Sequence, residues 1–267
     1  MADVGGELRW QPQRVSLTRA TGRLADAAQA QLTRADITWD ASTDQPQVTV
    51  ALQASGPLQA WLRVARRAAP KQGLGATLAN VNATGQVRAN LQGTGPWQGL
   101  AQLPWRGEIR LEDANVAWQP GLPPLQKLSG QLQWDGATWR ARDMRAQWLG
   151  GPIQGDMSYA TSGAWRVQLQ GAANLDRLRA VQAFAPAQGV LAQMRGTLPF
   201  ELQWDHTAAQ ASWRLTSSLQ GVALALPAPF NKDEASRWPL ALQVSSSQDQ
   251  PERSQVELSL DDYYRRL

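Results

Sequence analysis

Phe200-Glu201-Leu202-Gln203-Trp204 decides the fold: apolar and polar residues alternate, so an extended chain carries Phe200, Leu202 and Trp204 on one side and Glu201 and Gln203 on the other. The alternation recurs in Leu8-Arg9-Trp10, Val48-Thr49-Val50-Ala51-Leu52, Glu108-Ile109-Arg110-Leu111, Leu132-Gln133-Trp134, Trp165-Arg166-Val167-Gln168-Leu169 and Trp213-Arg214-Leu215. Segments of this kind, spaced by turn residues, predict half-buried antiparallel strands with one apolar and one hydrated face.

Asp135-Gly136 between two such segments marks a tight hairpin. Ser55-Gly56-Pro57, Gly93-Thr94-Gly95-Pro96, Gly150-Gly151-Pro152 and Gly189 read as further turns. Two stretches depart from period two. Residues 57–69 place Leu58, Trp61, Leu62 and Ala65 at helical spacing between Pro57 and Pro70, and residues 175–185 do the same with Leu175, Leu178, Val181 and Phe184 between an N-capping Asn174 and Pro186. Both read as short amphipathic helices lying on or capping a sheet. A weak internal repeat joins the strands: Gly6-Glu7-Leu8-Arg9-Trp10, Gly107-Glu108-Ile109-Arg110-Leu111, Gly130-Gln131-Leu132-Gln133-Trp134 and Phe200-Glu201-Leu202-Gln203-Trp204 share one form. Leu-Gln-Gly, at residues 91–93, 169–171 and 219–221, reads as a strand-closing element.

Composition excludes most chemistry. The 267 residues include 43% hydrophobic positions and 13 Trp, but no Cys and a single His. Thiolate metal sites, disulfides and cysteine nucleophiles are therefore absent, and His206 reads as an exposed imidazole in a hairpin turn. The acidic neighbours Glu112-Asp113, Asp233-Glu234 and Asp261-Asp262 point to opposite sides of an extended chain and make poor acid–base pairs. Gly73-Leu74-Gly75 lacks the Lys-Ser/Thr of a phosphate loop, and Leu149-Gly150-Gly151-Pro152 lacks a following helix. Neither an enzyme nor a cofactor or metal site is expected. No apolar run reaches the length of a membrane helix, and Met1 to Glu7 lack a signal-peptide pattern. The 26 Lys and Arg are spread along the chain except at Arg63, Arg66, Arg67 and Arg265, Arg266, which reads as solvated strand surface and no nucleic-acid partner.

Tryptophan is informative. Trp10, Trp39, Trp134, Trp204 and Trp213 occupy the apolar phase of their strands, while Trp97, Trp105 and Trp238 sit beside proline in turns. Two short helices cannot cover so many strands. Either the sheet folds on itself as a sandwich or its apolar face is left for a ligand.

Between Leu125 and Leu242 the sequence resembles the YhdP family of AsmA-like proteins. The resemblance rests on Gly130-Gln131-Leu132-Gln133-Trp134, Leu149-Gly150-Gly151-Pro152, Gly196-Thr197-Leu198-Pro199-Phe200 and above all Leu219-Gln220-Gly221-Val222-Ala223-Leu224-Ala225-Leu226-Pro227-Ala228-Pro229-Phe230-Asn231-Lys232. Residues 125–242 carry the match best, and residues 1–100 share its style. The resemblance implies a mainly β fold: a long twisted antiparallel sheet curled into an open hydrophobic groove, with residues 1–267 forming one elongated segment. It also implies a periplasmic envelope protein that moves phospholipid between the inner and outer membranes of a Gram-negative bacterium. Its partners would be phospholipid acyl chains, and the inner membrane through a segment missing from this chain, which is then an internal piece of a longer protein. About 14 strands side by side at roughly 4.8 Å would extend about 65 Å.

On this reading Leu132, Trp134, Val167, Leu169, Leu202, Trp204 and Leu215 are the lipid-groove candidates and face a shared open trough. Two other classes remain: a Trp-rich β-sandwich that binds carbohydrate, and a structural part of an envelope assembly. The first expects tryptophan on the wet face or in loops beside Asp and Asn, whereas several occupy the apolar phase.

Overall fold

The computed structural model describes every residue except 1, 25, 26, 43, 69–79, 97–102, 120, 137, 161, 208, 229, 248, 249 and 261–267. Gly73-Leu74-Gly75, Trp97, Asp261-Asp262 and Arg265-Arg266 thus lie outside the described residues. The first strands are β1 (Ala2–Gln11), β2 (Arg14–Leu24), β3 (Ala27–Asp40) and β4 (Gln47–Pro57), and the helix α1 (Leu58–Ala68) follows. Next come β5 (Asn82–Pro96), β6 (Trp105–Ala117), β7 (Leu125–Asp135), β8 (Thr138–Trp148), β9 (Gly151–Ala160) and β10 (Trp165–Asn174). A helical stretch of α2 (Leu175–Arg179), a 3₁₀ turn (Gln182–Ala187) and α3 (Gln188–Leu191) leads to β11 (Met194–His206), β12 (Gln210–Ser217), β13 (Val222–Leu224), β14 (Leu240–Ser247) and β15 (Gln250–Leu260).

The chain is mainly β, as the alternation requires. Among the described residues, fifteen strands form one antiparallel sheet that does not close, with hydrogen-bonded order β1 through β12 followed by β14 and β15; β13 pairs off this path with β11. The chain divides into two compact units, residues 1–118 with 127–139, and residues 119–126 with 140–267.

Four strand positions share one construction. Arg19, Asp113, Lys127 and Asp143 adopt positive φ of about 50°, which L-residues adopt at a cost. In each case a side-chain oxygen from a neighbouring strand accepts the backbone N–H. Arg19 donates to Asp36 Oδ1 at 2.8 Å, Asp113 to Ser129 Oγ at 3.2 Å, Lys127 to Asn115 Oδ1 at 3.4 Å, and Asp143 to Asp156 Oδ1 at 3.0 Å. The Arg19 N–H, followed by the Arg34 guanidinium, holds the Asp36 carboxyl below the ordinary carboxylate range. At Arg19 and Asp113 the extra residue reverses the phase of its strand. In β6, Leu111 opposes Val87, but past the bulge Val116 opposes Ala83, so odd-numbered apolar positions give way to even ones. In β2 the change is from Leu17, opposite Ile37, to Ala20, opposite Ala35.

In the first unit Val48, Val50 and Leu103 are buried together, with Ile37, Leu52 and Trp105 packed against them. Gly93-Thr94-Gly95-Pro96 is strand here, not a turn: Leu103, Pro104 and Trp105 lie against Gly93 and Gly95, in space that larger side chains would fill. Residues 91–93 and 169–171 likewise run within β5 and β10 instead of closing them, and only 219–221 ends at a turn. Ser55-Gly56-Pro57 is the end of β4 leading into α1, and Gly189 lies inside α3.

In the second unit the expected helix over 175–185 stops at Arg179, and a 3₁₀ segment follows at Gln182–Ala187. Asn174 caps it as expected, accepting from the Asp176 and Arg177 N–H groups at 3.0 and 3.1 Å. Leu175, Leu191, Met194, Leu219 and Val222 form the core, with Phe184, Leu198, Trp238 and Leu240 against it.

Lys232 is buried there and donates to the carbonyls of Val222 at 2.8 Å and Asp233 at 2.7 Å. Lys232→Met leaves both without this donor and lowers stability by about 2 kcal/mol, measured by urea titration. Burial depresses the ammonium pKa. Between that depressed value and the ordinary lysine value the unfolded chain binds more protons than the native one, so native stability rises with pH. The gap between wild type and Lys232→Met therefore widens from neutral pH toward the ordinary lysine value; a gap that narrows would contradict the assignment.

Candidate functional site

Pairing within the second unit aligns apolar residues into rungs that cross strands. One rung is Leu169–Leu202–Leu215–Leu242–Leu258, each residue register-paired with the next. Two residues along each strand lies Met157–Val167–Trp204–Trp213–Val244–Val256. Because strand side chains alternate, both rungs share one face. On the other face Asp156, Gln168, Gln203, Arg214, Gln243 and Glu257 form a parallel polar rung. That surface is tied by the Arg166–Asp205 ion pair at 2.7 Å and by Arg214 donating to Gln243. The bond to Asp205 holds the Arg166 guanidinium above its ordinary pKa.

The apolar face is only partly covered. Toward the Met194 end of β11, Leu198 and Leu240 pack against the unit's core together with Leu178, Phe184 and Trp238, and Phe200 packs with Leu178 and Phe184 against Leu149, Ala173 and Val181. Farther along, Leu202, Leu215, Leu242 and Val244 are half-buried, while Trp204 is 40% exposed, Trp213 36%, Val256 62% and Leu258 65%. At the far end the Tyr159 and Trp165 rings meet at 4.4 Å, and His206 lies 6.4 Å from Trp204, centroid to centroid. His206 is thus the last residue of β11, half-buried against an indole, not an exposed residue of the turn. A cavity of about 880 Å³ is lined by the polar rung Gln154–Gln170–Glu201–Thr216 and by Phe200 and Leu240, among others.

Five of the seven sequence candidates, Val167, Leu169, Leu202, Trp204 and Leu215, come together on this face. Leu132 and Trp134 are half-buried on β7 in the first unit, where the Trp134 ring stacks on Trp139 at 5.1 Å. Sequence reasoning missed Leu242, Val244, Val256 and Leu258, although Leu240-Ala241-Leu242-Gln243-Val244 and Val256-Glu257-Leu258 carry the same alternation. It also placed Trp105 and Trp238 in turns, whereas Trp105 opens β6 and Trp238 packs on the second unit's core.

The first unit builds comparable rungs of its own. Trp10–Val15–Trp39–Val48 and Leu8–Leu17–Ile37–Val50 run across β1 to β4, and Leu8 and Trp10 are exposed. Among the described residues no group of three His, Cys, Asp or Glu is placed to hold a metal ion, and no helix is long and apolar enough to cross a membrane.

A family model described as YhdP protein matches residues 2–265. No curated protein and no solved structure matches the chain.

Proposed function

We propose, from the premise that this chain belongs to the YhdP family, that its apolar sheet face is a lipid-binding surface, one segment of a periplasmic groove along which phospholipid passes between membranes. The observation that carries this reading is the pair of apolar rungs in the second unit, with Trp204, Trp213, Val256 and Leu258 left exposed. Exposed apolar side chains arranged contiguously mark a surface that meets a partner. Two acyl tails hold roughly 30 methylene groups, and at about 0.8 kcal/mol each their exposure to water costs on the order of 24 kcal/mol. A continuous face of Leu, Val and Trp removes much of that barrier without any polar group placed for one particular lipid. The protein then acts by binding and guiding, not by catalysis.

The test is photo-crosslinking. A photoreactive residue at Trp204 or Trp134 recovers phospholipid from membranes, whereas the same probe at Gln203, one residue away and on the polar face, recovers little. Equal recovery from Trp204 and Gln203, or none at Trp204, would remove the support for this face.

A further inference from the structure

The two ends of the apolar face differ. At one, Phe184 of the helical stretch, Trp238, Leu198 and Leu240 all pack against the buried core of the second unit. The other ends in Tyr159–Trp165–His206–Ala211–Ser246, a rung joined by register pairing across five strands. Its rings combine an apolar body with a polar tip. Trp and Tyr with this division of character settle where hydrocarbon gives way to headgroup and water. From Phe200 to His206 is six residues, about 20 Å of strand, against about 15 Å for the hydrocarbon of one bilayer leaflet. An acyl chain laid along the strands therefore fits between the core-packed end and the aromatic rung.

We infer that a bound glycerophospholipid lies parallel to the strands of the second unit, with its phosphate and ester oxygens at Tyr159, Trp165 and His206 and its methyl ends toward the helical stretch. The inference rests on the lipid-binding reading above and adds the ligand's direction. Its polar recognition is then a short row of N–H and O–H donors at one margin of the face, and the rungs of Leu and Val hold only hydrocarbon. Passage from one site to the next proceeds across the strands, with the headgroup kept on the aromatic side.

Because the chain has no Cys, a single introduced thiol takes a fluorophore cleanly. Leu242→Cys and Ser246→Cys lie on β14 in the leucine and aromatic rungs, four residues or about 13 Å apart. Each is labelled with bimane and mixed with phosphatidylcholine carrying a nitroxide either near the ester or near the terminal methyl. The Ser246 probe is quenched roughly twofold more by the nitroxide near the ester, and the Leu242 probe roughly twofold more by the one near the methyl, as their separation along the chain requires. Leu258→Cys, on the same rung as Leu242 but on the exposed last strand, repeats the measurement where folding is least disturbed. Equal or reversed quenching at the two positions overturns the direction while leaving the lipid-binding face intact. No quenching at any of the three overturns both.

Discussion

Leu202→Asp reduces the lipid recovered with the protein by at least about tenfold, equivalent to about 1.4 kcal/mol or more of binding. Leu202 lies between Leu169 and Leu215 in the leucine rung, and a carboxylate there is stripped of water whenever an acyl chain covers it. Leu202 is half-buried, so the substitution also costs some stability in the free protein, and the far-UV spectrum is measured alongside to confirm that the sheet is retained. Lipid recovery is measured by mass spectrometry of the purified protein, with Gln203→Asp on the opposite face as the comparison. If Gln203→Asp lowers recovery as much as Leu202→Asp, net charge and not the apolar face governs binding.

Gly196→Ala is expected to have the largest effect on folding. Gly196 has φ of +105° at the start of the β11–β13 pairing, and a methyl group there would meet the carbonyl oxygen of Gly221. Strain in that backbone region and overpacking each cost about 1–3 kcal/mol, so a loss of about 3 kcal/mol follows. For a unit of this size that lowers the melting temperature by about 10 °C, readable by calorimetry. Gly163→Ala, in a turn with φ of +83° and open space around it, carries the dihedral cost alone and falls by less. Equal losses would show that the contact with Gly221 contributes nothing.

These effects also show what could be read directly from the residues. Leu202 and Trp204 were legible because their strand keeps an unbroken period of two, and the face they share with Val167, Leu169 and Leu215 follows from pairing neighbours in order. Strands β14 and β15 carry the same pattern, yet their apolar residues are smaller and no tryptophan marks them. Glycine misled where its role was to make room: Gly93 and Gly95 resemble a turn because nothing nearby in sequence announces that Leu103 and Trp105 come down on them. His206 was placed in the turn with Thr207 and Ala208, whereas pairing of Asp205 and His206 with β10 and β12 carries the strand two residues past Trp204. Which end of the face is packed against the core was decided by the packing of Leu178, Phe184 and Trp238, which periodicity alone does not locate.

The bulges at Arg19 and Asp113 give their strands two reading frames, one on each side of the extra residue. A hydropathy comparison that holds a single frame along such a strand scores half of it inside out, and related chains matched that way look less alike than they are. The same arrangement confines length errors. Deleting Asp143 would turn one end of β8 over relative to the other, and the Asp156 oxygen that now receives its N–H would lose that donor. Insertions and deletions of single residues in this sheet should therefore be found at latched bulges, with the latching Asp, Asn or Ser gained or lost in the neighbouring strand at the same step.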